Sequence, residues 1–210
     1  RALMTMKDSQ NPKRGIPRRD MIKGTAAAGL AISVGVEGVF AATAGDNPIR
    51  KENAKPGTRD WMLTKTRTVP GKINNILLNG RSQAIEGYCS ANRVRVGETL
   101  KVMVSTNPVS DFKLEIFRTG YYNGDGARLM KRFDSVKGIT QPDPPVGDNY
   151  LRECQWEPSV EFEIPKDWLS GVYLGKLTAK KENIQSYVIF IVRDDRACDF
   201  LFQCSELTWS

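Results

Sequence analysis

Between Ala84 and Arg193, apolar side chains recur at every second residue, and few other patterns restrict a fold so tightly. In "ETLKVMVST", Leu100, Val102 and Val104 share one side, with Lys101 and Met103 on the other. In "FKLEIFR", Phe112, Leu114 and Ile116 alternate with Lys113, Glu115 and Phe117, and "VEFEI" sets Val160, Phe162 and Ile164 against Glu161 and Glu163. Successive side chains of a strand point to opposite faces, so this period marks strands with one buried and one wet face. "GVYLGKLTA" and "SYVIFIVR" follow, the second apolar on both faces and therefore central in its sheet. Turn residues cut the runs apart at "NPVSD", "NGDG", "QPDPPVGDN", "KDWLSG" and "KKEN". No helical period intervenes. Strands of this kind predict an all-β, immunoglobulin-like antiparallel β-sandwich over residues 83–194, long enough to bury its own two-layer core.

Two segments precede it. Residues 45–82 are polar and broken by Pro48, Pro56, Gly57, Pro70, Gly71 and Gly80, which predicts an extended lead-in arm with one short strand near "RDWML". Trp61 is expected to dock that arm onto a neighbour. Residues 1–44 begin with a basic lead (Lys7, Lys13, Arg14, Arg18, Arg19) and continue into a mild apolar run over 24–36. That run is diluted by Gly24, Gly29, Ser33 and Gly35 and ended by Glu37, short of the roughly 18–20 apolar residues that span a bilayer. No permanent membrane span is expected. The small-residue end "FAATAG" offers Ala42 and Ala44 as an A-x-A cleavage site, so the segment reads as a signal peptide. "RRDMIKG" further resembles a twin-arginine signal, with Arg18 and Arg19 as its pair, although Glu37 departs from the ideal. The resemblance implies the twin-arginine export machinery as a partner and a periplasmic or secreted location. It also raises the expectation of a cofactor-bearing enzyme, since that route carries folded proteins.

The net charge of +7 is concentrated there: residues 1–44 hold seven Lys/Arg against three Asp/Glu, leaving 24 against 21 in the rest. With no dense basic face and no helix-turn-helix or RNA-module signature beyond Ala44, no nucleic-acid partner is expected. The chain contains no histidine, which removes Ser-His-Asp and Cys-His catalysis and histidine-based metal sites from this stretch. Cys89, Cys154, Cys198 and Cys204 form no C-x-x-C pair, which argues against structural zinc. Export leaves three ways of pairing them into two disulfides; four buried thiols are the equal alternative.

"FRTGYYNGDGARLM" is the most distinctive internal stretch. Gly120, Gly124 and Gly126 do not form a dinucleotide fingerprint, because a strand runs into an Asn-Gly-Asp-Gly turn and then another strand. The glycines are expected to supply positive φ in that turn. Arg118, Tyr121 and Tyr122 are the candidate contacts for a sugar or peptide, with a structural role as the preferred reading. Asp194 and Asp195, beside Arg193 and Arg196, read as solvated charges, and nothing activates Ser205, Thr208 or Ser210 as a nucleophile. Catalytic residues remain unknown, and no metal or cofactor ligand is assigned. "DFLFQCSELTWS" is either a last sandwich strand or the first strand of an α/β unit. The chain starts at Arg1 and stops at "ELTWS", so a piece of a longer protein is expected.

Four ordered blocks carry a more specific signal: "IEGYCSANRVRVGETLKVMVST", "EIFRTGYYNGDGARLM", "CQWEPSVEFEIPKDWLSGVYLGKLTA" and "SYVIFIVRDDRACDFLFQCSELTW". From about Asn53 to Ser210 the chain resembles the N,N-dimethylformamidase large (beta) subunit-like family. The resemblance implies a β-sandwich followed by a larger α/β catalytic domain, of which residues 195–210 are the truncated start. It also implies an iron held by tyrosine and glutamate in that later domain, activating water against an amide. No iron ligand carries over onto residues of this chain, so no cofactor is expected within it. The expected function is the accessory sandwich of an exported N,N-dimethylformamidase-like amidohydrolase, inactive by itself and, at full length, open to oligomerisation. The export signal argues for a substrate other than dimethylformamide. The rival reading is a non-catalytic exported binding or adhesion module using Tyr121, Tyr122 and Trp168.

Overall fold

The computed structural model describes residues 47–67, 71–73, 76–78, 82–197 and 201–205. The chain divides into two units, 1–47 and 48–210; all that follows concerns the second. Arg18, Arg19, Ala42 and Ala44 lie outside the described residues.

A short helix α1 (Pro48–Asn53) opens the unit, with proline at its first position, where a missing N–H costs nothing. Ten strands follow among the described residues: β1 (Gly71–Ile73), β2 (Ile76–Leu78), β3 (Glu86–Cys89), β4 (Arg93–Arg95), β5 (Thr99–Ser105), β6 (Phe112–Thr119), β7 (Ala127–Val136), β8 (Pro158–Glu163), β9 (Gly171–Ala179) and β10 (Gln185–Arg193). β1 and β2 form a hairpin of their own. The rest make a five-stranded sheet, β4-β10-β9-β6-β7, and a three-stranded sheet, β3-β5-β8. This is the predicted all-β sandwich. Its core is built from the alternating positions: Leu100, Val102 and Val104 on β5, Phe112, Leu114 and Ile116 on β6, and Val160 and Phe162 on β8 are all buried. A file of aromatic rings crosses it. Trp168 stacks on Tyr173 at 4.8 Å between centroids, and Tyr173 on Phe190 at 5.4 Å. Contacts of this kind add about 0.5–1.5 kcal/mol each beyond area burial.

Three features differ from expectation. First, the wide sheet is mixed, because β4 pairs parallel with β10 through Arg93–Ile191, Val94–Val192 and Arg95–Arg193. The chain passes from β3 in one sheet to β4 in the other across residues 90–92, so β4 reaches β10 without a hairpin to force the pair antiparallel. Second, no strand forms near "RDWML"; residues 59–62 are turns and bends. The carbonyls of Asp60 and Met62 accept bonds from the Lys176 ammonium at 2.7 and 2.9 Å instead of joining a ladder. Third, the face of β6 expected to be wet is covered, with Glu115 4% exposed and Phe117 fully buried. Covering is the work of the arm. Its Thr58 N–H bonds the Ala127 carbonyl on β7, Trp61 donates its indole N–H to the Asp125 carbonyl at 2.9 Å, and the Lys65 carbonyl accepts the Gln185 N–H of β10 at 2.8 Å. The Tyr187 hydroxyl donates to the Trp61 carbonyl. Docking through Trp61 is thus as expected.

Among residues 194–197 and 201–205 no strand forms, for none of them has a ladder partner; the remainder of the stretch expected to begin an α/β unit lies outside the described residues. No described helix is long and apolar enough to cross a membrane.

Candidate functional site

The stretch "RTGYYNGDG" sits where β6 ends and β7 begins. After Thr119 the chain makes a tight turn in which Gly124 (φ +94°) and Gly126 (φ +87°) take the expected left-handed conformations, whereas Gly120, of which the same was expected, does not have a positive φ. Tyr122 (φ +39°) and Asn123 (φ +56°) are left-handed too, and for a bulky residue such as Tyr122 that conformation is strained. The strain is offset by what the side chain gains. Tyr122 is fully buried, accepts a bond from Arg118 Nη1 at 3.0 Å and donates its hydroxyl to Glu52 Oε1 at 3.0 Å.

Glu52 comes from helix α1, 70 residues earlier in the chain, and is only 2% exposed. A carboxylate that deep must be paired. Arg128 on β7 reaches Oε1 with Nε at 2.7 Å and Nη2 at 2.6 Å, and Lys55 bonds Oε2 at 2.7 Å. Asn53, the next helical residue, accepts the Tyr121 N–H at 2.9 Å through its side-chain oxygen. Arg118 continues the network by donating Nη2 to the Ser170 carbonyl at 2.8 Å, while its Nε is buried without a partner. Two glycines keep the space open. A Cβ on Gly57 would lie 2.6 Å from the Tyr122 Cβ, and one on Gly120 would lie 2.4 Å from Asn53 Oδ1.

Burial alone would raise the Glu52 carboxyl, but bonds from Lys55, Arg128 and Tyr122 outweigh it and hold the group below the usual carboxylate range. Burial also raises the Tyr122 phenol, helped by the adjacent Glu52 charge against the opposing pull of Arg118. For Arg128 burial works against the charge, and the Glu52 carboxylate more than restores it. The cluster is an ionic clasp fastening α1 and the arm to the turn between β6 and β7.

The three residues singled out in that turn are therefore split. Arg118 and Tyr122 face inward and bond each other, whereas Tyr121 is 69% exposed. Trp168, a polymer-contact candidate in the rival reading, is 4% exposed and stacked within the core, so it has no face left for a ligand. Asp194 and Asp195 are solvated as expected, in ion pairs with Arg196 and Arg95 at 3.7 and 3.2 Å. Cys89 and Cys154 both line a cavity of about 560 Å³ beside Tyr88 and β10, and both are free thiols. Burial pushes the Cys89 thiol up to about 12, which suppresses its thiolate. Glu52, Asn53 and Arg128 are absent from the sequence-derived candidates. Within "PIRKENAKPG" no periodicity separates the buried glutamate from its solvated neighbours, so no local signal points to it.

Glu52 and Tyr122 are a glutamate and a tyrosine in contact, the ligand types implied for iron. They do not fit a metal. The cations Lys55 and Arg128 occupy both carboxylate oxygens, and Arg118 sits on the phenol oxygen, so a further positive charge would meet repulsion from three sides. Among the described residues no group of three or more His, Cys, Asp or Glu gathers.

Fold and clasp together define a two-sheet β-domain strapped by its own lead-in. Residues 113–210, nearly all of β6 and everything after it, match the family described as N,N-dimethylformamidase beta subunit-like, C-terminal. The matched range includes Arg118, Tyr121, Tyr122 and Arg128 but begins after β5, later than the Asn53 at which the resemblance starts. None of the curated proteins matches the chain.

Proposed function

We propose that the sandwich is the accessory portion of an exported N,N-dimethylformamidase-like amidohydrolase, and that metal-dependent amide hydrolysis is carried by sequence following it. The match of residues 113–210 to the N,N-dimethylformamidase beta subunit-like family is the observation that carries this reading. The character of the clasp supports it: the one close Tyr–Glu pair of the turn is saturated by cations and serves to hold the arm. The Arg18–Arg19 pair and the Ala42-Thr43-Ala44 end support export.

The test is to extend the reading frame past Ser210, purify the longer protein and the 210-residue chain side by side, and measure iron content and hydrolysis of small formamides. The reading expects iron and activity in the longer protein only. Stoichiometric iron in the 210-residue chain, or a longer protein without metal or amidase activity, refutes it. Export is tested separately by replacing Arg18 and Arg19 with lysine, which is expected to trap the protein inside the cell; unchanged secretion removes the twin-arginine part.

A further inference from the structure

Where residues 59–64 cross the outer face of the five-stranded sheet, they leave a cleft of about 400 Å³. Its charged walls are Arg59 and Asp60 from the arm, Lys113 and Glu115 from β6, Arg132 from β7 and Lys176 from β9. That is four cations against two carboxylates. Glu115, almost fully buried, is already saturated by Lys113 at 2.8 Å and Arg132 at 2.9 Å. Lys176, 7% exposed, gives two of its three protons to the neutral carbonyls of Asp60 and Met62. At the rim Arg59 and Arg132 also lie 3.8 and 3.7 Å from Asp125 and Asp134, both more than a third exposed and screened by water. Among the residues that line the cleft, cations thus outnumber carboxylates four to two, and a concave wall of mostly one sign focuses the field. Burial lowers the Lys176 ammonium despite the pull of Glu115, so the carboxylates present do not make up for its lost hydration.

We propose that this cleft binds a small oxyanion, a carboxylate or phosphate group of a low-molecular-weight ligand, between Arg59 of the arm and Lys113, Arg132 and Lys176 of the sheet. Fork-shaped guanidinium groups and ammonium donors converging from two elements suit a group with two or three acceptor oxygens. A ligand held this way bridges arm and sheet, so its binding also tightens the strap. The inference is independent of the amidohydrolase reading.

The test is titration calorimetry of the 210-residue chain with inorganic phosphate and, separately, with citrate, at an ionic strength fixed by chloride. Saturable heat is expected with at least one, and which one distinguishes a phosphate from a carboxylate ligand. Arg132 pairs with both Glu115 and Asp134, so the diagnostic variants are Arg59→Gln, 71% exposed in the native chain, and Lys113→Gln, which leaves Glu115 its Arg132 partner. Each is expected to weaken binding roughly three- to fivefold, the size of one partly exposed cation. Arg67→Gln, whose ion pair with Glu182 lies outside the cleft, is expected to bind as the native chain does. No saturable heat with either anion, undiminished binding in either cleft variant, or an equal loss in Arg67→Gln overturns the proposal.

Discussion

Replacing Glu52 with glutamine keeps the side chain's shape and removes its charge, and so isolates what the clasp contributes. In the native chain the carboxylate takes two bonds from Arg128 at 2.7 and 2.6 Å, one from Lys55 at 2.7 Å and one from Tyr122 at 3.0 Å. Lys55 is 52% exposed, so its pair is worth about 0.5 kcal/mol at most. Arg128 is 25% exposed, and bonds from a charged donor to a buried carboxylate are worth about 1.5–3 kcal/mol. An amide oxygen retains the geometry at about half that strength, while its NH₂ turns a donor toward Lys55. The loss amounts to roughly 2–3 kcal/mol, less than the ~3–5 kcal/mol that deleting one partner of a buried ion pair costs, because the amide keeps the geometry. Since the clasp joins the arm to the sandwich and spares its core, the change should appear as local opening. An opening constant raised about 30- to 150-fold follows from those energies. Trypsin cleavage at Arg50, Lys51 and Arg59 reports it, because proteolysis tracks the open population when reclosing is fast. Cleavage accelerated by tens-fold, with a smaller shift in the urea midpoint, is the expected outcome. A variant whose arm is cut no more than about twofold faster than the native chain would refute the claim that Glu52 holds it.

The same clasp sets a direction with pH. The folded Glu52 lies below its ordinary 4.5, so its contribution is complete above that value and fades as pH falls through the lower, folded one; arm cleavage by an acid-stable protease should rise only in that acid range in the native chain and stay pH-independent there in Glu52→Gln. Gly57→Ala places a methyl 2.6 Å from the Tyr122 Cβ and 2.7 Å from the Asp125 Cβ, and overpacking of this sort should lower stability by about 1–3 kcal/mol in urea unfolding. With its thiol pushed up to about 12, Cys89 has a thiolate fraction on the order of 10⁻⁴ at pH 8, so peptide mapping after brief alkylation should find Cys154 labelled well before Cys89.

The sandwich was readable because its information is local. Leu100, Val102 and Val104 announce a buried face by position alone, as do Val160, Phe162 and Ile164, and each lies where the period puts it. Glycines 124 and 126 likewise declare a turn that only their φ values permit. What stayed hidden depends on contacts between distant parts of the chain. Glu115 alternates as a wet residue should, and is buried only because the arm crosses over it. Tyr122 looks like a neighbour of the exposed Tyr121, yet a left-handed turn swings it inward to meet a glutamate 70 residues away. The parallel pairing of β4 with β10 follows from a switch between sheets over residues 90–92, which no side-chain pattern encodes.

By strapping its lead-in across the wide sheet, the chain gives its two sheets unequal latitude for sequence drift. On β8, Glu161 and Glu163 stand in solvent and alternate with the buried Val160, Phe162 and Ile164, so every other codon is nearly free to wander. On β6, Leu114 to Arg118 are all buried, and neither parity offers a neutral position. A saturation-mutagenesis library sorted for folded protein should therefore show a two-residue ripple of tolerance along β8 and an unbroken trough along β6.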